Sequence, residues 1–185
     1  MIAIIDYNVG NVKSVLNACK RLGVTAVLTN SADEIVAADG VILPGVGSFG
    51  VAMKNLEKLG LISVLREYKK PMLGICLGMQ ILFERGFEGG EFEGLGLIKG
   101  DVKLIPTEQK LPHMGWNTLE KRDGDVYFVH SYMADYNEHT LDYCLYGDVK
   151  IPAIVGRGNV LGCQFHPEKS GKIGEEILKE WVALV

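Results

Sequence analysis

The strongest constraint on this chain is the alternation in its first half, where short apolar runs are separated by segments spaced like helix faces. Ile2 to Asp6 is an apolar run closed by an acid, the pattern of a strand buried on both faces. Val12, Val15, Leu16, Cys19 and Leu22 then recur at three- and four-residue steps, which predicts a helix with one apolar face, stopped by Gly23. Val24 to Leu28 reads as a second strand. Ser31 and Glu34 form a capping-box pattern that opens a short helix running to Gly40. Val41 to Leu43 is a third strand and ends at Pro44-Gly45-Val46-Gly47-Ser48-Phe49-Gly50. Helical spacing returns at Phe49, Met53 and Leu56, and again at Leu61, Val64, Leu65 and Tyr68. Pro71 then introduces a fourth strand, Met72 to Ile75, which runs into Cys76. Repeated strand–helix units with short connections imply a mostly parallel α/β sheet covered by helices on both faces. Ligands of such sheets gather outside the carboxyl ends of the strands, where both Gly45–Gly50 and Cys76 fall.

From about Glu84 the texture changes. Six glycines between Gly86 and Gly100 punctuate a loop-rich stretch. Strand-like runs follow at Val102–Ile105, Trp116–Leu119, Val126–His130 and Leu141–Leu145. Ile151–Val155 and Val160–Phe165 read as a hairpin turning through Gly156–Asn159. Ser170 is placed to cap a last helix striped by Ile173, Ile177, Leu178, Trp181 and Val182. The expectation is a single domain over residues 1–185, with the antiparallel strands of the second half joined to the same sheet. With 19 basic against 23 acidic side chains, the net charge of −4 argues against nucleic acid as the main partner. No apolar stretch approaches the roughly 20 residues of a membrane span. The N-terminus has no basic segment ahead of its apolar run, so a cytoplasmic protein is expected. Cys19, Cys76, Cys144 and Cys163 are scattered without a paired spacing or a nearby His cluster, which points to free thiols and to no metal or cofactor.

Gly74-Ile75-Cys76-Leu77-Gly78 sits between the fourth strand and the helix-prone Met79–Phe83. That is a cysteine nucleophile elbow: a sharp turn exposes the sulfur, and small residues two places either side make room for it. The Leu77 amide then points where an oxyanion would develop. Of the four histidines, His113, His130, His139 and His166, the last is the best base. Pro167 biases His166 toward extended backbone, and in extended chain Glu168 would share its side, close enough to orient the imidazole. Cys76, His166 and Glu168 together make a nucleophile, a base and an orienting carboxylate. Gly45-Val46-Gly47-Ser48-Phe49-Gly50 also matches G-x-G-x-x-G, the dinucleotide fingerprint. It follows the third strand rather than the first, and Pro44 precedes it. A loop whose amides supply the second oxyanion donor is the preferred reading.

Gly74–Gln80 together with Gln164-Phe165-His166-Pro167-Glu168 resembles the class I (triad) glutamine amidotransferases. Asp6–Asn11, Pro44–Phe49, His113–Asn117 and Phe128–Tyr132 resemble, within that family, the glutaminase subunits of imidazole glycerol phosphate synthase. The likeness runs from residue 6 to residue 168, with Asn8 standing where glycine is expected. It implies a three-layer, doubly wound, flavodoxin-like sheet with added antiparallel strands. It further implies Cys76, His166 and Glu168 as the triad, an oxyanion hole near Gly45, Val46 and Leu77, and a glutamine pocket lined by Gly47, Gln80 and Ser131. Asn11, His113, Trp116, Asn117 and Tyr132 would face a barrel-type cyclase in a heterodimer. The implied chemistry is hydrolysis of L-glutamine through a cysteinyl thioester, with ammonia passed on to make imidazole glycerol phosphate in histidine biosynthesis. The rival readings are a glutaminase for pyridoxal phosphate or anthranilate synthesis, a cysteine peptidase or deglycase-like hydrolase, a nucleotide-binding module, and a non-catalytic scaffold.

Overall fold

The computed structural model describes all residues from 1 to 185. The chain opens with β1 (Ile2–Ile5), α1 (Val12–Arg21), β2 (Ala26–Thr29), α2 (Ala32–Ala37) and β3 (Gly40–Leu43). Helices α3 (Phe49–Lys58) and α4 (Leu61–Glu67) lead into β4 (Met72–Ile75), and a single turn, α5 (Leu77–Gln80), follows Cys76. The short β5 (Arg85–Gly86) and β6 (Phe92–Glu93) precede β7 (Asp101–Leu104), β8 (His113–Thr118), β9 (Asp125–His130) and β10 (Tyr132–Ala134). Two longer strands, β11 (Thr140–Tyr146) and β12 (Val149–Arg157), come before β13 (Val160–Cys163), a 3-10 turn at Pro167–Lys169 and α6 (Gly171–Val182).

The main sheet has seven strands in the order β11-β12-β13-β4-β3-β1-β2. From β13 to β2 the neighbours are parallel, while β12 and β11 add antiparallel strands at one edge. Alternate residues on each parallel strand supply opposite faces. Ala3, Ile5, Val41 and Leu43 pack with α3, α4 and α5, while Ile2, Ile4, Ile42 and Leu73 pack with α1 and α6. This explains why the strands read as unbroken apolar runs. Each fully buried Leu, Ile or Phe contributes about 1.5–3 kcal/mol, so two-sided burial holds the layers together.

Not every antiparallel strand joins this sheet. β10, β7, β5 and β6 form a separate four-stranded sheet, and β8 with β9 forms a hairpin of its own. With β11 closing the open edge, the runs around residues 101–104 and 132–134 satisfy their backbone by pairing with each other. Three local readings also change. β2 begins at Ala26 because the Val24 amide is taken by Cys19 O at the end of α1. Ser31 precedes α2 without a side-chain cap, and its own amide donates to Thr29 Oγ1 at 3.0 Å. Ser170 precedes α6, but its hydroxyl is committed elsewhere, to the backbone around His166.

Candidate active site

β4 and β13 are adjacent and in register, with Cys163 opposite Ile75, so Cys76 and Gln164 emerge side by side at the carboxyl edge of the sheet. Cys76 has φ 54°, ψ −111°, a conformation that costs on the order of 1–3 kcal/mol and must be held by its surroundings. Its amide donates to Cys163 O at 2.7 Å. The flanking glycines are what let the turn close. A Cβ on Gly74 would sit 2.6 Å from Gly78 O, and one on Gly78 would land on the Leu43 carbonyl. Asn8 is the only other non-glycine residue at positive φ, 60°. Asparagine tolerates that conformation better than most residues, so the replacement of the expected glycine leaves the loop intact.

Beyond β13 the chain bends at Gln164 and Phe165 before reaching His166, whose φ is −98° and ψ 95°. Cys163 and Phe165 pack into the core shared with α6, while the Gln164 side chain meets Gln80 and Cys76 and the His166 ring meets Glu168. His166 is pinned through its main chain: its amide donates to Tyr127 O, and its carbonyl accepts from Ser170 Oγ at 2.7 Å. Glu168 Oε1 lies 2.9 Å from His166 Nδ1, and both side chains are almost wholly buried. Extended alternation is not what brings them together. Pro167–Lys169 is a 3-10 turn, and its curl carries Glu168 back under the ring. The carboxylate fixes a proton on Nδ1 and leaves Nε2, which is buried and has no other hydrogen-bond partner, to serve the sulfur. Burial disfavours the charged imidazole, but hydrogen bonding to Cys76 and Glu168, aided by their charge, outweighs it and lifts His166 to about 9. The other three cysteines are buried thiols, pushed up to about 11 for Cys19 and about 12 for Cys144 and Cys163, chiefly by burial.

The Cys76 sulfur opens into a cavity of about 320 Å³ lined by Val46, Gly47, Gln80, Glu88, Ser131 and Tyr132, among others. The three residues expected to line a glutamine pocket, Gly47, Gln80 and Ser131, therefore share one cavity with Cys76. Glu88, on the loop between β5 and β6, carries no sequence signal as a site residue. Its Oε2 accepts from the Phe49 amide at 2.9 Å and so sits at the N-terminus of α3. That is where a dinucleotide's pyrophosphate would have to lie, so the carboxylate argues directly against the G-x-G-x-x-G reading. The oxyanion donors are present but not free. The Leu77 amide donates to Gly45 O at 3.3 Å, so the Gly45–Val46 peptide turns its carbonyl toward the hole. The buried Tyr7 hydroxyl donates to the preceding Pro44 carbonyl. Burial and the nearby Cys76 charge raise the Tyr7 phenol well above its ordinary range, which keeps it a donor.

Residues expected to face a partner fall into two groups. Asn11 is exposed, and Trp116 is 59% exposed beside an equally exposed Met114. Asn117 and Tyr132 are half-buried. His113 does not face outward. It is 3% exposed, stacked on Phe128 at 4.7 Å between ring centroids and against Tyr146 at 4.2 Å. Its Nδ1 lies 2.9 Å from His130 Nε2. Burial lowers His113 to about 4 and His130 to about 3, so both are neutral. The Tyr132 carbonyl accepts from His130 Nδ1 at 2.8 Å, which makes His130 Nε2 the acceptor of the His113 proton. Sequence reasoning places Gln164 and Ser170 only as parts of a motif and a cap, although one touches the sulfur and the other the base's backbone. No cluster of three or more His, Cys, Asp or Glu side chains is arranged to hold a metal ion, and no helix is long and apolar enough to cross a membrane.

Comparison with known proteins places the family and the fold. The chain is 52% identical to "Imidazole glycerol phosphate synthase subunit HisH" of Lactococcus lactis subsp. lactis, over 98% of this chain and 97% of that one. It is 48% identical to the protein of the same name from Oceanobacillus iheyensis, over the whole of both. Among solved structures it is similar in fold to a glutamine amidotransferase, with a TM-score of 0.81 at 20% identity over 100% of this chain and 98% of that one. It is also similar in fold to a chain of PurLQS from Thermotoga maritima, with a TM-score of 0.75 at 19% identity over 98% and 97% of the two chains. The family described as "Glutamine amidotransferase class-I" matches residues 3–184, and with a cysteine elbow, a buried His–Glu pair and a shared cavity in place, the chain belongs to the class I glutamine amidotransferases.

Proposed function

We propose that this chain is the glutaminase subunit of an imidazole glycerol phosphate synthase, acting as one catalytic domain in the cytoplasm beside a barrel-type cyclase. The single observation that carries the reading is the buried His166–Glu168 pair beside Cys76, whose sulfur opens into a cavity that also holds Gln80, Ser131 and Glu88. Two full-length relatives at 48–52% identity that bear that synthase name favour it over glutaminases of pyridoxal phosphate or anthranilate synthesis.

In this reading glutamine enters with its carboxamide at the sulfur and its α-ammonium near the Glu88 carboxylate. The Cys76 thiolate attacks the carboxamide carbon. His166, charged at neutral pH, gives its Nε2 proton to the departing nitrogen, and ammonia leaves behind a thioester. Neutral His166 then takes a proton from water as it attacks the thioester, releasing glutamate and restoring the thiolate–imidazolium pair. Each tetrahedral oxyanion needs the Leu77 amide, so the Gly45–Val46 peptide must turn away from it first. The lack of a side chain at Gly45 and Gly47 suits that rotation. Losing one oxyanion donor typically costs ~10²–10³ in rate, so freeing the Leu77 amide matters to the proposed reaction. Ammonia must reach the acceptor unprotonated, which favours passage into the cyclase rather than release to water.

Cys76→Ala in the assembled complex is expected to abolish glutamine-dependent synthesis while leaving synthesis from ammonium salts intact. Equal loss with both nitrogen sources would remove Cys76 from the proposed role.

A further inference from the structure

Gln164, the residue just beyond β13, is polar and completely buried. Its Nε2 lies 3.8 Å from Cys76 Sγ, within hydrogen-bonding range for sulfur. Its Oε1 lies 3.0 Å from Gln80 Nε2, and the same Gln80 nitrogen is 2.9 Å from the Tyr132 carbonyl. A carboxamide's two ends have nearly the same shape, so its direction has to come from its partners. Here one partner is unambiguous. The Tyr132 carbonyl only accepts, so Gln80 must present its NH₂ group there. The same NH₂ meets Gln164, so Gln164 must answer with its oxygen. The remaining end of Gln164, the donor end, then faces the sulfur. Reversing Gln164 would set two NH₂ groups against each other at a fully buried position, where the repulsion is poorly screened.

We propose that Gln164 is a further catalytic residue, whose carboxamide donates to Cys76 Sγ and holds the sulfur as thiolate, in a direction imposed by the Tyr132 carbonyl through Gln80. The inference rests on the reading of Cys76 as the glutaminase nucleophile. The need for such a donor follows from what else surrounds the sulfur. Cys76 is 5% exposed, and its Sγ lies 3.9 Å from Val129 O, a contact that favours the protonated thiol. The remaining titratable neighbours offer little that is permanent. The Tyr7 hydroxyl is committed to Pro44 O, His130 is neutral, and Glu168 acts behind His166. The His166 imidazolium stabilises a thiolate only until it surrenders its proton to the leaving nitrogen. Gln164 has no proton to give up, so its hydrogen bond persists through the cycle and again favours sulfur as the leaving group when the thioester is hydrolysed. No atom is transferred through it.

The test is the rate of iodoacetamide alkylation of Cys76 in the full-length chain across about pH 5 to 10. The modified residue is located by mass spectrometry, and the three other cysteines, buried and poorly ionised, stay out of the reading. In Gln164→Met, similar in length and without a donor, alkylation near neutral pH is expected to fall about tenfold and to recover in alkali, since one pH unit of displacement is a factor of ten. With the cyclase partner present, kcat for glutamine should fall by a similar factor while KM changes less than about threefold. A lower thermal midpoint with an unmoved alkylation profile would make Gln164 a packing residue and overturn the proposal. Should Gln164→Met not fold, Gln164→Asn withdraws the amide by one methylene, and an unmoved profile in that variant overturns it equally. Alkylation needs no glutamine, so the two readings separate. A displaced profile in a complex without glutaminase activity would sink the glutaminase assignment and keep the hydrogen bond, and an active complex with an unmoved profile would do the reverse.

Discussion

Three buried histidines near the cavity are driven in opposite directions, and the signs set a pH window for stability. His166 is raised from 6.5 to about 9, so its folded form holds a proton more tightly than the unfolded chain does. That contribution is complete below about 6.5 and is lost as pH rises through about 9. His113 and His130 are lowered to about 4 and about 3, so acid protonates the unfolded chain first. Their contribution is complete above about 6.5 and is lost as pH falls toward those values. The thermal midpoint is therefore expected to peak between about pH 6 and 7.5 and to fall on both sides. In His130→Phe the acid limb should become shallower while the alkaline limb keeps its shape, which a set of melts across pH would establish. Glu168→Gln removes the charge that helps hold the imidazolium and its tautomer. Glutaminase activity of the complex should drop by roughly 10³–10⁴, the scale seen for loss of the orienting carboxylate in serine enzymes. Cys76, His166 and Glu168 can be picked out as candidates from the sequence because their spacing is local to two motifs. Glu88 cannot. Its position depends on a loop folding back onto the first turn of α3, a contact across 39 residues that no local pattern records.

At the scale of elements, the elbow between β4 and α5 is the least forgiving part of the chain. Gly78→Ala would drive a methyl group into the Leu43 carbonyl on the neighbouring strand, where backbone cannot yield as a side chain can. The expected result is a loss of more than about 3 kcal/mol, seen as a large fall in the thermal midpoint or as insoluble protein. Gly158→Ala, at φ 60° in the β12–β13 turn with nothing within 4 Å, should cost only about 1 kcal/mol. The parallel half of the fold is readable from the sequence because strands buried on both faces leave continuous apolar runs. The second half cannot be assigned to sheets so directly. Short strands such as β7, β8 and β10 carry no local signal of which neighbour they pair with. Capping misleads for a related reason. Ser170 has the right identity and position for an N-cap, yet its hydroxyl receives the Tyr127 amide and donates to the His166 carbonyl, a use visible only once β9 lies beside it.

At the scale of the molecule, the cavity connects to an exposed apolar pair through the β8–β9 hairpin. Val129 lines the cavity and pairs with Met114, and Met114 and Trp116 both stand exposed on β8. Aromatic side chains that bury on association are the usual carriers of interface energy, with truncation costing about 2 kcal/mol or more. Trp116→Ala is thus expected to weaken assembly with the cyclase at least about thirtyfold in a titration, while the melting curve of the chain alone is nearly unchanged. Cys76 and His166 come from distant parts of the chain, and one contact that aligns them is the β4–β13 ladder that sets Cys163 against Ile75. Strand faces alternate residue by residue, so a slip of a single position along that ladder would present Phe165 where the imidazole belongs and carry the base into the helical layer below. Correct strand alignment is therefore a precondition of the proposed chemistry: a misthreaded molecule would lose the whole arrangement of side chains and not one member of it.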